Sequence, residues 1–402
     1  MIANWRGVGA VPSRASGASE PLTVKQPWQA DRDQNRYNES MTSTTKHRHF
    51  KLGSAETPYR EQERDLAIGL WLAKRRFLDA DQICRLVEPL EGGSHAHTRT
   101  RLTKMFRNQL LVKPNGQKEY WDECGRRDHV YGNSSRMGAK LQRRDLAPAG
   151  RLDWTQRNKG AKRDFVEHTV ETSELMVTFE TTARNYQGFS VHEADELLVD
   201  LPERTQTIER PWFFEATPHG FPTKGKGRVR PDAVLSVRQD TVGKQISKYF
   251  VAEVDTASMP VVRGEQLERK LKAALLDERD AAGKSQQLTA KARVDEARYK
   301  LLLHNATANQ RSFLHKFTTY FWAYKHGWHK EHFGWPALRV LVTTRNVSHR
   351  DRMIEALQYV TGGQAPDLFL FSTFNEIRQC DDIFRHEWLN GAGKPVAILG
   401  KK

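Results

Sequence analysis

The chain has 402 residues, 64 Lys and Arg against 49 Asp and Glu, a formal charge of +15 and 38% hydrophobic residues, which suits two or three domains and is slightly apolar-poor for a chain folded throughout. No run approaches the ~18–20 apolar residues of a membrane span, the start Met1–Arg6 lacks a secretory h-region, and Cys84, Cys124 and Cys380 are too scattered for a disulfide framework or a Cys-x-x-Cys zinc site, so a cytoplasmic protein with no membrane partner is expected. The positive excess makes a polyanion the leading partner, because a basic surface concentrates phosphates and releases counterions, although charge alone does not separate DNA, RNA and membrane.

Residues 1–58 mix Gly, Ser, Pro, Gln and Asn without apolar periodicity and are expected to be a disordered arm, with Met41 a conceivable alternative start. Residues 59–144 change character. Leu66, Ile68, Leu70, Trp71 and Leu72 form the apolar face of a first helix ending near Lys74–Arg76. Asp79 caps a second helix, Ala80–Val87, closed by Pro89, and Ser94 caps a third with Leu102, Met105, Phe106 and Leu110 on one side. The other side carries His97, Arg99, Arg101, Lys104 and Arg107. A hairpin fits Leu111–Val112, a turn at Lys113–Gly116 and a return through His129–Tyr131, and a fourth helix runs from Ser134 or Ser135 to about Arg143.

Three helices and a hairpin are the order of a winged helix-turn-helix, whose third helix enters the major groove while the wing touches the backbone. The plainer alternative is a solvated charged face. Residues 145–163, with Pro148, Gly150, Gly160 and many cations, read as a linker. From 164 to 402 a long helix (Asp164–Asn185) precedes strands at Phe189–Leu198, Trp212–Ala216, Ala233–Val237 and Tyr249–Val254, then helices at Arg263–Asp280 and Gln310–Lys325, a strand Leu338–Thr343, a helix Ser348–Val360 and a strand Leu368–Phe371. The fold class is therefore α/β (α+β), with a helical insertion over about 262–309.

The chemistry concentrates where Arg230-Pro-Asp232 opens one apolar strand and Glu253-Val-Asp255 ends the next. Antiparallel pairing of these strands brings both carboxylates to one sheet edge. The preceding helix adds Glu167, Glu171 and Glu174 at i, i+4 and i+7. Asp232, Glu253 and Glu171 would make an oxygen site for Mg²⁺, which can activate a water against a phosphodiester. The basic loop Lys224-Gly-Lys226-Gly-Arg228 beside it lacks the P-loop pattern but suits a nucleic-acid backbone. His326, His329 and His332 are better read as an aromatic-rich loop, among Trp322, Trp328 and Trp335, than as a zinc site.

These residues resemble the Pro-Asp…(Asp/Glu)-x-Lys signature of restriction-endonuclease-like nucleases, with Asp255 where the signature has lysine. An aspartate there has the wrong sign to steady developing negative charge; Lys270, Lys272 and Lys316 of the following helices are candidate substitutes, with Lys316, in a Lys316…Tyr320 helix, preferred. The catalytic candidates are thus Asp232, Glu253, Asp255 and Lys316. The whole chain resembles the replication-relaxation family of plasmids and other mobile elements over about residues 60–375, through Phe77–Ile83, Arg99–Phe106, Val130–Gly138, Glu167-His168, Pro231-Asp232, Glu253-x-Asp255, Lys316…Tyr320 and Val340–Thr344. The resemblance implies a DNA-associated protein of plasmid replication or relaxation with a restriction-endonuclease-like second domain, which we expect to be degenerate. Double-stranded DNA is the expected partner, alongside other replication or mobilisation proteins. The alternatives are a Mg²⁺-dependent endonuclease or nickase and, as a lesser reading, a winged-helix transcription regulator.

Overall fold

The computed structural model describes residues 58–91, 94–118, 128–146, 154–216, 228–241, 244–257, 259–308 and 311–399. The expected arm up to Thr57, Cys124, Lys224 and Lys226 lie outside them. Helix α1 (Glu63–Arg75) buries Leu66, Ile68 and Leu72. Strand β1 (Leu78–Asp79) leads into α2 (Ala80–Glu91), where Asp79 and Gln82 cap the helix reciprocally: Gln82 N donates to Asp79 Oδ1 at 2.8 Å and Asp79 N to Gln82 Oε1 at 3.0 Å. The helix continues past Pro89 rather than closing there, since a proline in the last turn forfeits a single backbone bond. Ser94 caps α3 (His95–Arg107), its hydroxyl accepting from His97 N. Strands β2 (Leu111–Val112) and β3 (Val130–Asn133) pair antiparallel, and β1 joins the other side of β3. Ser134 caps α4 (Ser135–Arg143), the hydroxyl accepting from Met137 N.

The stretch expected as linker holds a helix, α5 (Trp154–Lys159), whose buried Asn158 donates to Asn133 O at 2.9 Å. Gly116 lies so close to the next helix that a Cβ there would stand 2.4 Å from Arg163 N. That helix, α6 (Arg163–Arg184), is buried on all sides from Ser173 to Phe179, the mark of a helix packed between layers. Val177 packs with the α1–α3 cluster, whereas Leu175, Met176 and Phe179 pack against a large sheet.

Strand β4 (Phe189–Glu193) is followed by α7 (Ala194–Leu198) where the sequence had suggested one continuous strand. Glu196 caps the backbone N–H of Glu193 at 2.7 Å, and that local bond turns the chain helical. After α8 (Glu203–Gln206), the short pair β5 (Phe214–Glu215) and β6 (Arg228–Val229) precedes the long hairpin of β7 (Ala233–Thr241) and β8 (Lys244–Asp255). The helical hairpin α9 (Glu265–Asp280) and α10 (Lys284–Thr307) occupies the expected insertion. Next come α11 (Phe313–Lys325), α12 (Trp328–Phe333), β9 (Arg339–Thr344), α13 (Val347–Thr361), β10 (Phe369–Thr373) and α14 (Phe374–Arg378). Strands β11 (Trp388–Asn390) and β12 (Pro395–Val396), too short to announce themselves by alternation, close the sheet edge.

The result is a mixed α/β fold around a seven-stranded sheet of order β12-β11-β10-β9-β8-β7-β4. Strands β8, β9 and β10 run parallel, and β7 pairs antiparallel with β4 and β8. Period-two alternation splits the sheet residues between two cores. Val251, Val340, Val342, Phe369 and Phe371 face α11 and α13, while Phe250, Ala252, Leu341 and Leu370 face α6 and α14. Helices on both faces make the central strands near-continuous apolar runs.

Candidate functional site

The register of the hairpin builds the site. Ala233 lies opposite Ala252, and Asp232 N donates to Ala252 O at 2.9 Å. Asp232, just before β7, and Glu253, near the end of β8, therefore share one end of the strand pair. The Asp232 carboxylate accepts from Val254 N at 2.9 Å and stands 3.3 Å from His168 Nε2 on α6. Its side chain remains 20% exposed, whereas that of Glu253 is 1% exposed.

Both Glu253 oxygens are engaged. Lys316 Nζ donates to Oε2 and the Tyr320 hydroxyl donates to Oε1. Lys316 and Tyr320 are four residues apart on α11 and so present one helix face to the strand end. Asp255, two residues on, is equally buried. It accepts from Ala257 N at 2.9 Å and Thr344 Oγ1 at 3.4 Å, and His349 Nε2 of α13 lies 2.5 Å away.

Burial is the largest influence on the Glu253 carboxyl and pushes it up to about 7, against the opposing pull of Lys316 and Tyr320. Burial also works against charge on Lys316, but Glu253 and Asp232 outweigh it and hold the ammonium above its ordinary value. Desolvation likewise opposes ionisation of Asp232, yet the His168 bond and the Lys316 charge keep that carboxyl below its usual range. The bond to Asp232 raises His168 in return. Glu253 is thus the carboxyl of the set held closest to neutrality.

The acids of α6 point elsewhere. Glu167 meets Arg345 at 2.8 Å, Glu171 pairs with Arg378 of α14, and Glu174 takes Arg85 at 2.6 Å and Gln82 at 2.9 Å from α2. Glu171 is thus committed to an arginine rather than to Asp232 and Glu253, and the expected three-carboxylate set does not assemble. The residue of α6 that does reach Asp232 is His168, one position from Glu167. Spacing pointed to the glutamates because their i, i+4, i+7 pattern is regular, while the single histidine carried no pattern.

Mg²⁺ requires several oxygens free to face it. Here both Glu253 oxygens accept protein hydrogen bonds and the Lys316 ammonium already supplies positive charge to Glu253 and Asp232. In this arrangement Lys316 and Tyr320, rather than a cation, meet the two Glu253 oxygens. Asp232 and His168 nevertheless open on a cleft of about 740 Å³ whose other walls include Lys74, Arg75, Trp154 and Glu193. Lys74 and Arg75 are themselves paired with Glu193, Lys74 at 2.8 Å.

The basic face of α3 is more selective than its sequence suggested. His97 and Arg107 are exposed and Lys104 is half-buried. Arg99 is held by Asp128 through two bonds of 2.6 and 2.7 Å. Arg101 does not belong to the exposed set: only 9% exposed, it grips the buried carboxylate of Asp65 and the carbonyl of Arg60 beneath the Tyr59 ring. Arg228 is exposed but paired with Glu215 at 2.7 Å. In the histidine-rich segment, His329 stacks on Tyr324 and His332 on Trp328, at centroid distances of 5.0 and 4.8 Å.

A model of the replication-relaxation family matches residues 70–273, about half of the chain. The chain belongs to the replication-relaxation family. The matched span runs from α1 into α9 and includes His168, Asp232, Glu253 and Asp255, but Lys316 and Tyr320 lie beyond it. No curated protein and no solved structure matches the chain. Among the described residues, no helix is long and apolar enough to cross a membrane.

Proposed function

We propose that this family member is a DNA-binding protein acting in replication or relaxation of a plasmid or other mobile element, with a restriction-endonuclease-like domain that no longer cuts. Its α1–α4 segment acts as a winged helix that docks α3 on duplex DNA, led by His97, Lys104 and Arg107. Three features support DNA contact: family membership, the net charge of +15 and the basic face of α3, where Arg107 is exposed and Lys104 half-buried. The observation that carries the non-cutting reading is the closed state of Glu253, whose two oxygens are taken by Lys316 and Tyr320. An oxygen site with its ligand atoms bonded internally holds the strand ends together and leaves α3 to grip the duplex.

A Mg²⁺-dependent nickase is the competing reading. What favours it is the meeting of Lys316 with Glu253 beside an Asp232 that opens on a cleft, since a lysine on that pair of carboxylates is what such an enzyme requires. Supercoiled plasmid incubated with purified protein and Mg²⁺ or Mn²⁺ separates the two. The expected outcome is a retarded but intact plasmid. Nicking that persists through purification and disappears in Asp232→Ala overturns the non-cutting reading. Binding whose affinity hardly depends on salt removes the proposed phosphate contacts.

A further inference from the structure

A second cluster lies away from the carboxylate site, where α2 meets the start of α3. Cys84 and Glu88 are four apart on α2 and share one face, and His95 opens α3. One ligand atom from each lies within 4.8 Å of the other two. His95 Nε2 is 3.1 Å from Glu88 Oε2. The Cys84 sulfur stands 3.8 Å from the carbonyl of His95 and interacts with the Glu88 carboxylate, whose buried Oε1 takes no other donor. A simple Glu–His ion pair accounts for one carboxylate oxygen. It leaves the second, buried oxygen turned to the Cys84 thiol alone.

We propose that Cys84, Glu88 and His95 form a Zn²⁺ site that fastens the end of α2 to the start of α3. Sulfur, imidazole nitrogen and carboxylate oxygen are together the donors zinc takes, whereas Mg²⁺ and Ca²⁺ call for oxygen alone. Three protein ligands leave a fourth tetrahedral position for water. Zinc–ligand distances of about 2.0–2.3 Å draw the three atoms closer than they stand in the metal-free arrangement. The His95 side chain, 54% exposed on the first turn of α3, is free to make that adjustment. On coordination the thiol loses its proton to solvent, the sulfur lone pair forms the Zn–S bond, and no atom changes oxidation state. The spacing 84, 88, 95 holds one cysteine and falls outside every Cys-pair pattern, so only the packing of α2 against α3 reveals it. Arg99 follows His95 by one turn, so the metal would set the start of the helix that carries the cationic face.

The test uses the full chain, stripped with a chelator and then titrated with Zn²⁺ against a chromophoric competitor, with Co²⁺ as a spectroscopic substitute. One zinc per chain is expected, with a thiolate-to-cobalt charge-transfer band. Affinity should fall by more than about 100-fold in His95→Ala and Glu88→Gln, beyond what loss of a merely supporting residue produces. The cobalt band should vanish in Cys84→Ala and persist in Cys124→Ser and Cys380→Ser. If Cys84→Ala fails to fold, as circular dichroism would show, the exposed His95 variant decides alone. Substoichiometric zinc, a cobalt complex without the thiolate band, or unchanged affinity in His95→Ala overturns the site.

Discussion

Replacing Glu253 by glutamine asks whether burial or the Lys316 partner governs the acidic site. Burial moves this carboxyl from 4.5 to about 7 in the folded chain. Between those values the folded state keeps the proton and the unfolded state does not, so the slope of unfolding free energy against pH is negative there. The stabilisation from the tightly held proton is complete below 4.5 and lost as pH rises through 7. At 1.36 kcal/mol per unit, the whole change comes to about 3 kcal/mol. Glutamine has the shape of the protonated acid and does not ionise. Glu253→Gln should therefore gain about 3 kcal/mol relative to the parent chain between pH 4.5 and pH 8, while the other carboxylates titrate in both proteins and cancel. Urea unfolding followed by tryptophan fluorescence at several pH values in that range measures the difference. If it is flat, burial does not raise Glu253. If the variant loses stability with rising pH, Lys316 and Tyr320 dominate, and the account of the site is wrong in sign.

Arg101→Met leaves the Asp65 carboxylate, 1% exposed, without its guanidinium, and should cost about 3–5 kcal/mol in chemical denaturation, as for a broken buried pair; a loss under about 1 kcal/mol would return Arg101 to the surface set. Lys104→Glu and Arg107→Glu should each lower the slope of log affinity against log salt by about 0.9 for a duplex followed by fluorescence anisotropy, and an unchanged slope in both would remove α3 from the interface. Gly116→Ala forces a Cβ to within 2.4 Å of the Arg163 backbone; overpacking of about 1–3 kcal/mol should show as a lowered melting temperature, and an unshifted melt would mean that this contact between the β2–β3 loop and α6 gives way freely.

Much of the fold was legible because the signals are local. Ser94, Asp79 and Ser134 announce helix starts through hydroxyls or carboxylates placed to accept the first free N–H groups, and each does so. The apolar runs of β7–β10 mark strands covered on both faces. The misreadings came from competing local bonds or weak ones: Glu196 converts the end of an expected strand into α7, and β11 and β12 are too short to show a period. At the site, Pro231-Asp232 and Glu253 stand out by position, and Lys316 with Tyr320 by their four-residue spacing. The roles of Glu171, Arg101 and His168 did not, because each is decided by a partner more than thirty residues away.

The sequence by itself determined the alternation of helices and strands, the polyanion-seeking charge and the pair of carboxylates at one strand end, since propensity, periodicity and net charge are properties of neighbouring residues or of the sum. The tertiary structure decided which charges remain available. It buried Arg101 against Asp65, spent Arg99 on Asp128, and turned Glu167, Glu171 and Glu174 of α6 to three separate arginines. It also closed Lys316 and Tyr320 over Glu253 and set Cys84, Glu88 and His95 around one point. A charge acts through the groups within a few ångströms of it, and those neighbours are chosen by the packing of α2, α6 and α11 rather than by the order of residues along the chain.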